Sequence, residues 1–209
     1  QRILPELPPA GQFGRAECYF ALSIADKYVK PKPCSSIDDI IRYCMESSSA
    51  RANAYMALAS FKSPLLGRKQ SNAYQFKTLR CDIDAGKRDA HGNLKPDVYA
   101  NAKEALAGLA TAAVSFPPSI IVSSGMGLHV YWTLDKPADI DEWAGLSSKL
   151  LEMLKSGGLK VDAPKTTDIA AVLRLPGTVH QKTGNIVTVI AEGNDYTLDD
   201  ARRILGAAK

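Results

Sequence analysis

The order of apolar and polar residues predicts alternating helices and strands along most of the 209 residues. In the stretch RAECYFALSIADKYV, 15–29, apolar residues recur at helix-like intervals. The KPKP run at 30–33 ends that pattern, because proline lacks the N–H a helix interior needs. The stretch 36–47 opens on serine with Asp38 and Asp39 close behind, which is how a capped helix begins. NAYMALASF, 53–61, alternates loosely and predicts a strand, and 63–72 predicts a loop carrying Arg68 and Lys69. A further strand is expected over 74–84, then a polar loop, then a helix opened by Pro96 and running through NAKEALAGLATAA. PPSIIVSS predicts a short buried strand, Gly-Met-Gly a turn, and LHVYWTL a second strand with His129, Tyr131 and Thr133 on one face.

The pattern continues with an amphipathic helix over 139–154, closed by Ser-Gly-Gly. A mixed region follows at 159–185, then a strand, NIVTVIA, and a capped helix, TLDDARRILGAA. There is no internal repeat and no low-complexity tract. The expected fold class is α/β (α+β), one compact unit over 49–209 preceded by a helical or irregular segment over 1–48.

Composition narrows this reading only slightly. With 45% hydrophobic and 23% charged residues the chain is ordinary for a globular protein. No apolar run approaches the length of a membrane span, and QRILPELPPAG lacks the apolar stretch of a signal peptide. Cys18, Cys34, Cys44 and Cys81 form no CxxC pair, which argues against structural zinc and for reduced thiols in the cytoplasm. A formal charge of +4 permits a polyanionic partner without requiring one.

Three constellations carry candidate chemistry. In LRCDIDAGK, Asp82 and Asp84 flank Ile83, so in a strand they share a face, roughly 7 Å apart along the backbone. Carboxylates so placed repel unless a cation lies between them, and hard divalent ions suit such oxygens. The alternative is a strand end with solvated acids or an Asx turn. In SSGMGLH, Gly125 and Gly127 permit a turn whose N–H groups could cradle phosphate, with Ser124 and His129 as further donors. The alternative is a plain hairpin and a half-buried histidine. In the third, Val161 and Asp162 precede Arg174, His180 and Lys182, an acid followed by cations suited to a triphosphate. Asp168 reads as a cap, and the alternative for the whole block is a mixed-charge surface loop.

Taken in order, the three blocks resemble the catalytic core of the archaeo-eukaryotic primase superfamily. Its hDhD strand, SGxGxH-like hairpin and hD strand are matched by 79–84, 124–129 and 161–162. Asp162, His180 and Lys182 are similar in spacing to archaeal primase small subunits. SSGMGLHVYW and RLPGT resemble phage and plasmid primase-polymerases. The resemblance spans about 50 to 190. One departure is Gly127 two residues before the motif histidine, where some relatives have serine, which shifts the serine role to Ser124.

The resemblance implies a fold with an RRM-like half and sheets flanked by helices, with 49–209 as the catalytic core. It implies a template-dependent nucleotidyltransferase that makes or extends primers. Asp82, Asp84 and Asp162 would hold two Mg²⁺ or Mn²⁺ ions. Ser124, Gly125, Gly127, His129, Arg174, His180 and Lys182 would bind the nucleotide, and Arg68, Lys69 and Lys87 the template. Implied partners are single-stranded DNA template and primer, nucleoside triphosphates, and a helicase domain or subunit in phage, plasmid or mobile-element replication. Rival readings are an inactive nucleic-acid-binding module of the same fold, a metal-dependent nuclease, and a polymerase that extends primers without starting them. A rolling-circle nuclease needs a paired HxH-like metal site, whereas His91, His129 and His180 stand apart.

Overall fold

A computed structural model describes residues 2–7, 17–25 and 28–206 of the chain. Two antiparallel sheets organise it. One has four strands: β1 (Tyr19–Ala25), β2 (Tyr28–Cys34), β3 (Asn53–Ala57) and β8 (Val172–Arg174), in the order β2-β1-β3-β8. The other has five: β4 (Ala59–Phe61), β5 (Ala73–Ile83), β6 (Ile120–Ser123), β7 (Leu128–Asp139) and β9 (Thr188–Glu192), in the order β4-β5-β7-β6-β9. The chain crosses from the first sheet to the second at buried Leu58, so the expected strand over 53–61 is two strands in two sheets.

Around the sheets lie α1 (Ile37–Ser49), α2 (Ala102–Ala112), α3 (Ile140–Ser156), the short α4 (Ala163–Thr167) and α5 (Leu198–Leu205). Their starts are set by side-chain caps: Ser36, Asn101, Asp139, Asp162 and Thr197 each accept a backbone N–H from the first turn. The expected helices over 36–47 and 139–154 are found within two residues. The helix expected from Pro96 begins instead at Ala102, because Asn101 and Glu104 cap each other. Residues 85–100 form an ordered loop closed by Gly86 N–H to Tyr99 C=O and Tyr99 N–H to Asp84 C=O. The expected terminal helix reaches residues 207 and 208, which lie outside those described, as do parts of the irregular reading of 1–14 and of the helix over 15–29.

The helix expected over 15–29 is wrong where it can be compared: 19–25 is strand β1 and 28–34 is strand β2. A strand covered on both faces shows a nearly continuous apolar run, which periodicity cannot tell from a buried helix. Tyr19, Phe20, Ala21 and Leu22 are all buried, and β1 is hydrogen-bonded on both sides. The KPKP prolines are tolerated inside β2 because it is an edge strand. The segment ahead of residue 49 therefore supplies two strands and a helix to the four-stranded sheet, and β1 pairs directly with β3.

The core that fixes the five-stranded sheet is aromatic. Trp143 of α3 stacks on Phe76 of β5 at 4.1 Å, and its indole N–H donates to the Thr78 carbonyl over 2.8 Å. Trp132 of β7 donates to the Phe116 carbonyl at 2.7 Å. Each ring is buried together with its N–H partner, which fixes α3 on β5 and the loop before β6 on β7.

Candidate active site

The first two acids lie where β5 leaves the sheet. Asp82 is in the strand and only 4% exposed, and Asp84 follows the strand end, half-buried. Directly across the β5–β7 ladder from Asp82 is His129, also buried, with Nε2 3.8 Å from Asp82 Oδ1. Burial pushes the His129 imidazole down to about 4, with Arg174 and Lys165 adding to the effect and Asp82 opposing it, so the ring is neutral at neutral pH. Its buried Nδ1 has no hydrogen-bond partner among the described residues.

The third acid comes from the far end of the sequence. Asp162 donates its N–H to the Asp82 carbonyl over 2.9 Å, and its side chain caps α4 by accepting the Lys165 N–H at 3.1 Å. The other end of α4 is held by Arg80 of β5, whose guanidinium donates to the Asp168 carbonyl. Arg80 is fully buried, stacked 4.9 Å over Trp143, and burial pulls it down to about 10. Thr78, Arg80 and Asp82 share a strand face by alternation. Two groups of this strand, the Arg80 guanidinium and the Asp82 backbone carbonyl, thus tie down both ends of the segment carrying Asp162. Asp168 is the C-terminal cap residue of α4 by position, while its side chain accepts the Ala170 N–H at 2.9 Å in a turn beyond the helix.

Two of the three acids, Asp82 and Asp162, meet on one cation, and Asp84 adds its charge from nearby. The Lys165 ammonium contacts Asp82 Oδ2 and lies 3.5 Å from Asp162 Oδ2. Burial pulls the Lys165 ammonium down, but Asp82, Asp84 and Asp162 together outweigh it and hold it above its ordinary value. Asp84 pairs with Lys87, one of the expected template contacts. No three His, Cys, Asp or Glu side chains among the described residues form a ready-made metal cluster. A cation nevertheless occupies the space between the acids. The groups facing it are carboxylate oxygens, a donor type that suits a hard divalent ion.

The glycine turn faces this cluster from the other side. Gly125 has φ +98°, and a Cβ there would lie 2.5 Å from the Cβ of His180. At Gly127 a Cβ would lie 2.1 Å from the Ile83 carbonyl oxygen. Both glycines are required by close backbone approach, one to the His180 loop and one to the end of β5. Ser124 Oγ accepts the Gly127 N–H at 3.3 Å, and the Ser124 N–H donates to the Gly127 carbonyl at 2.9 Å. Those two N–H groups are used inside the turn, which leaves Gly125 and Met126 as its candidate phosphate donors.

The basic side joins the short β3–β8 ladder to the loop after it, with side-chain bonds tying the two to the turn. Arg174 of β8 is half-buried, stacks 4.9 Å over Tyr55 and donates to its hydroxyl at 2.9 Å. His180 is buried, and desolvation together with Arg174 holds it below its ordinary value. Thr183 N–H donates to its Nδ1 at 3.3 Å, which places the ring proton on Nε2. Asn185 donates to the Gly125 carbonyl at 2.7 Å and so ties the loop to the turn. Lys182 and Lys69 are exposed, while Arg68 is half-buried near the charge of Asp168. A cleft of about 620 Å³ opens beside Asp84 and Asp162, with Lys95, Lys155 and Lys160 on its walls.

Sequence reading missed Lys165, Arg80, Thr183 and Asn185. Only Lys165 left a signal: D-A-P-K is an N-cap followed by proline, which puts the lysine in the first helical turn, back toward the acid.

No family model matches the chain, and no curated protein matches it. Solved structures do match. The AEP domain of the cyanophage S-2L primase-polymerase has a TM-score of 0.63 at 16% identity, over 90% of this chain and 89% of that one. The catalytic domain of primase RepB′ in complex with initiator DNA gives 0.56 at 10%, over 92% and 85%. The polymerase domain of Mycobacterium tuberculosis Ligase D in complex with DNA gives 0.51 at 15%, over 98% and 79%. The chain therefore has the archaeo-eukaryotic primase-polymerase fold: two antiparallel sheets flanked by helices.

Proposed function

We propose that this chain, built on the primase-polymerase fold, is a template-dependent nucleotidyltransferase that makes or extends primers from nucleoside triphosphates. The observation that carries the proposal is the meeting of Asp82 and Asp162, distant in sequence, on a single cation position with the charge of Asp84 close by. Divalent ions held there, Mg²⁺ or Mn²⁺, would supply charge for the attacking hydroxyl and the leaving pyrophosphate. The primer 3′-hydroxyl gives its proton to solvent and its oxygen bonds to the α-phosphorus, the bond from that phosphorus to the bridging oxygen breaks, and pyrophosphate leaves.

The chain's own residues supply position and charge. Asp82 is held by its strand, and neutral His129 across the ladder faces one of its oxygens. Asp162 is held by its own cap and by the Asp82 carbonyl. Arg174, His180 through Nε2–H, and Lys182 offer donors for the triphosphate, with Ser124 and the Gly125 turn beside them. Single-stranded DNA would lie along exposed basic residues such as Lys69, with affinity falling steeply as salt rises. Replication of a phage, plasmid or other mobile element, alongside a helicase domain or subunit, is the setting this reading favours.

The test is the double substitution D82A/D84A in a primer-synthesis and primer-extension assay with Mg²⁺ or Mn²⁺. Synthesis should fall by about 10²–10³-fold or more, as when a main transition-state charge stabiliser is removed. A double variant that folds and synthesises at the wild-type rate would end this reading.

A further inference from the structure

Lys165 has no role in the mechanism above, yet it sits at the centre of the site. Its backbone N–H is the group capped by Asp162, so its Cα is pinned in the first turn of α4. Helical side chains lean back toward the helix N-terminus, which directs its stem at Asp162 and, beyond it, Asp82. The Asp82 side chain is 5% exposed, so its charge needs a cation close by. The Lys165 side chain is 44% exposed, so the ammonium has a path into solvent.

We infer that Lys165 is an internal cation that holds Asp82 and Asp162 together, beside the charge of Asp84, until a divalent ion enters and displaces it. The inference rests on the reading of these acids as a divalent-ion site. An ammonium and a divalent ion cannot both occupy the contact with Asp82 Oδ2 and Asp162 Oδ2, so the lysine competes directly with the metal. Competition of this kind sets the metal affinity of the free protein below what the three carboxylates alone would give. It also keeps like charges from pushing α4 away from β5 while no metal is bound. Once displaced, the ammonium is one side-chain swing from the oxygens of any triphosphate bound beside the acids.

The experiment is a Mn²⁺ titration without nucleotide, followed by electron paramagnetic resonance and calorimetry, on wild type, K165M and K165R. Thermal melts are recorded for each in chelator and in Mn²⁺. K165M should bind Mn²⁺ about tenfold more tightly, the worth of one charge-assisted hydrogen bond removed from the competitor. In chelator it should melt roughly 2–4 °C lower, and Mn²⁺ should raise its melting temperature more than that of wild type. K165R, which keeps the charge, should bind Mn²⁺ about as weakly as wild type. K165Q takes the place of K165M if the latter fails to fold even with Mn²⁺. Equal Mn²⁺ affinity and equal Mn²⁺-induced stabilisation in K165M and wild type would overturn the inference and leave the divalent site standing. Folded wild type and K165M that both fail to bind Mn²⁺ would overturn the divalent site itself.

Discussion

In the five-stranded sheet, Asp82 and His129 face each other as a register pair on β5 and β7, both buried. In the four-stranded sheet, the groups nearest the site are Arg174 of β8 and the residues of the turn that follows it. Asp82 is therefore placed by the long β5–β7 ladder and a ring-lined core, whereas the cations sit on the three-residue β3–β8 ladder and on a loop that side-chain bonds tie to the glycine turn. Asp162 belongs with Asp82 in this respect, since its N–H bonds to the Asp82 carbonyl and its helix is tied to Arg80. A backbone-held group keeps its position when a neighbouring side chain changes. A side-chain-held group moves when any member of its chain of contacts is altered. The acid half should thus tolerate substitution structurally while being chemically unforgiving, and the basic half should behave in the opposite way.

The largest expected effect probes the acid half. D162N keeps the α4 cap, because asparagine caps as well as aspartate, but removes one charge from the cation site. Nucleotide addition should drop by about 10²-fold or more while the melting temperature stays within roughly 2 °C. A large loss of stability in D162N would show that the acid is held by its charge rather than by the backbone.

Next in size is a break at the seam between the halves. G125A combines a disfavoured positive φ with a 2.5 Å approach to the Cβ of His180. It should cost about 1–3 kcal/mol in denaturant unfolding and weaken triphosphate binding. G145A, in α3 with open space around its Cβ, is the matched control and should stabilise by roughly 0.5–1 kcal/mol. Equal responses of the two would remove the case for a tight turn-to-loop contact.

The smallest effect lies far from the site and reports on the scaffold alone. Burial alone would raise the Asp195 carboxyl, but hydrogen bonds from Arg2 and Thr133 outweigh it and hold it below the usual range. A carboxyl lowered on folding contributes stability above its unfolded value, about 3.9, and loses it as pH falls through the folded value. The side chain is 47% exposed, so screening limits the contribution to under about 1 kcal/mol. D195N should flatten the stability profile below about pH 4, read by denaturant unfolding at stepped pH, and leave nucleotide addition unchanged.

The same contrast explains what the sequence made legible. β5 and its acid pair could be read because a strand ending in Asp-Ile-Asp leaves a local pattern, and α1 and α3 because Ser36 and Asp139 mark their starts. Strand β1 could not, since burial on both faces erases the period-two signal, and β2 was hidden by prolines that only an edge position allows. Strand β8 is three residues long and takes its shape from pairing with β3, a partner more than a hundred positions away. The tie from Asn185 to Gly125 and the grip of Arg80 on Asp168 are contacts between distant segments with no local trace. Lys165 could have been found, but only by asking where a lysine three residues after an N-cap aspartate must point.

The most direct measurement is anomalous diffraction from crystals soaked with Mn²⁺ and a non-hydrolysable nucleoside triphosphate. The account predicts a manganese peak within about 2.3 Å of carboxylate oxygens of Asp82 and Asp162, with the Lys165 ammonium moved off both. Manganese bound away from these acids, or nucleotide bound with Lys165 still joining Asp82 to Asp162 and no metal between them, would contradict it.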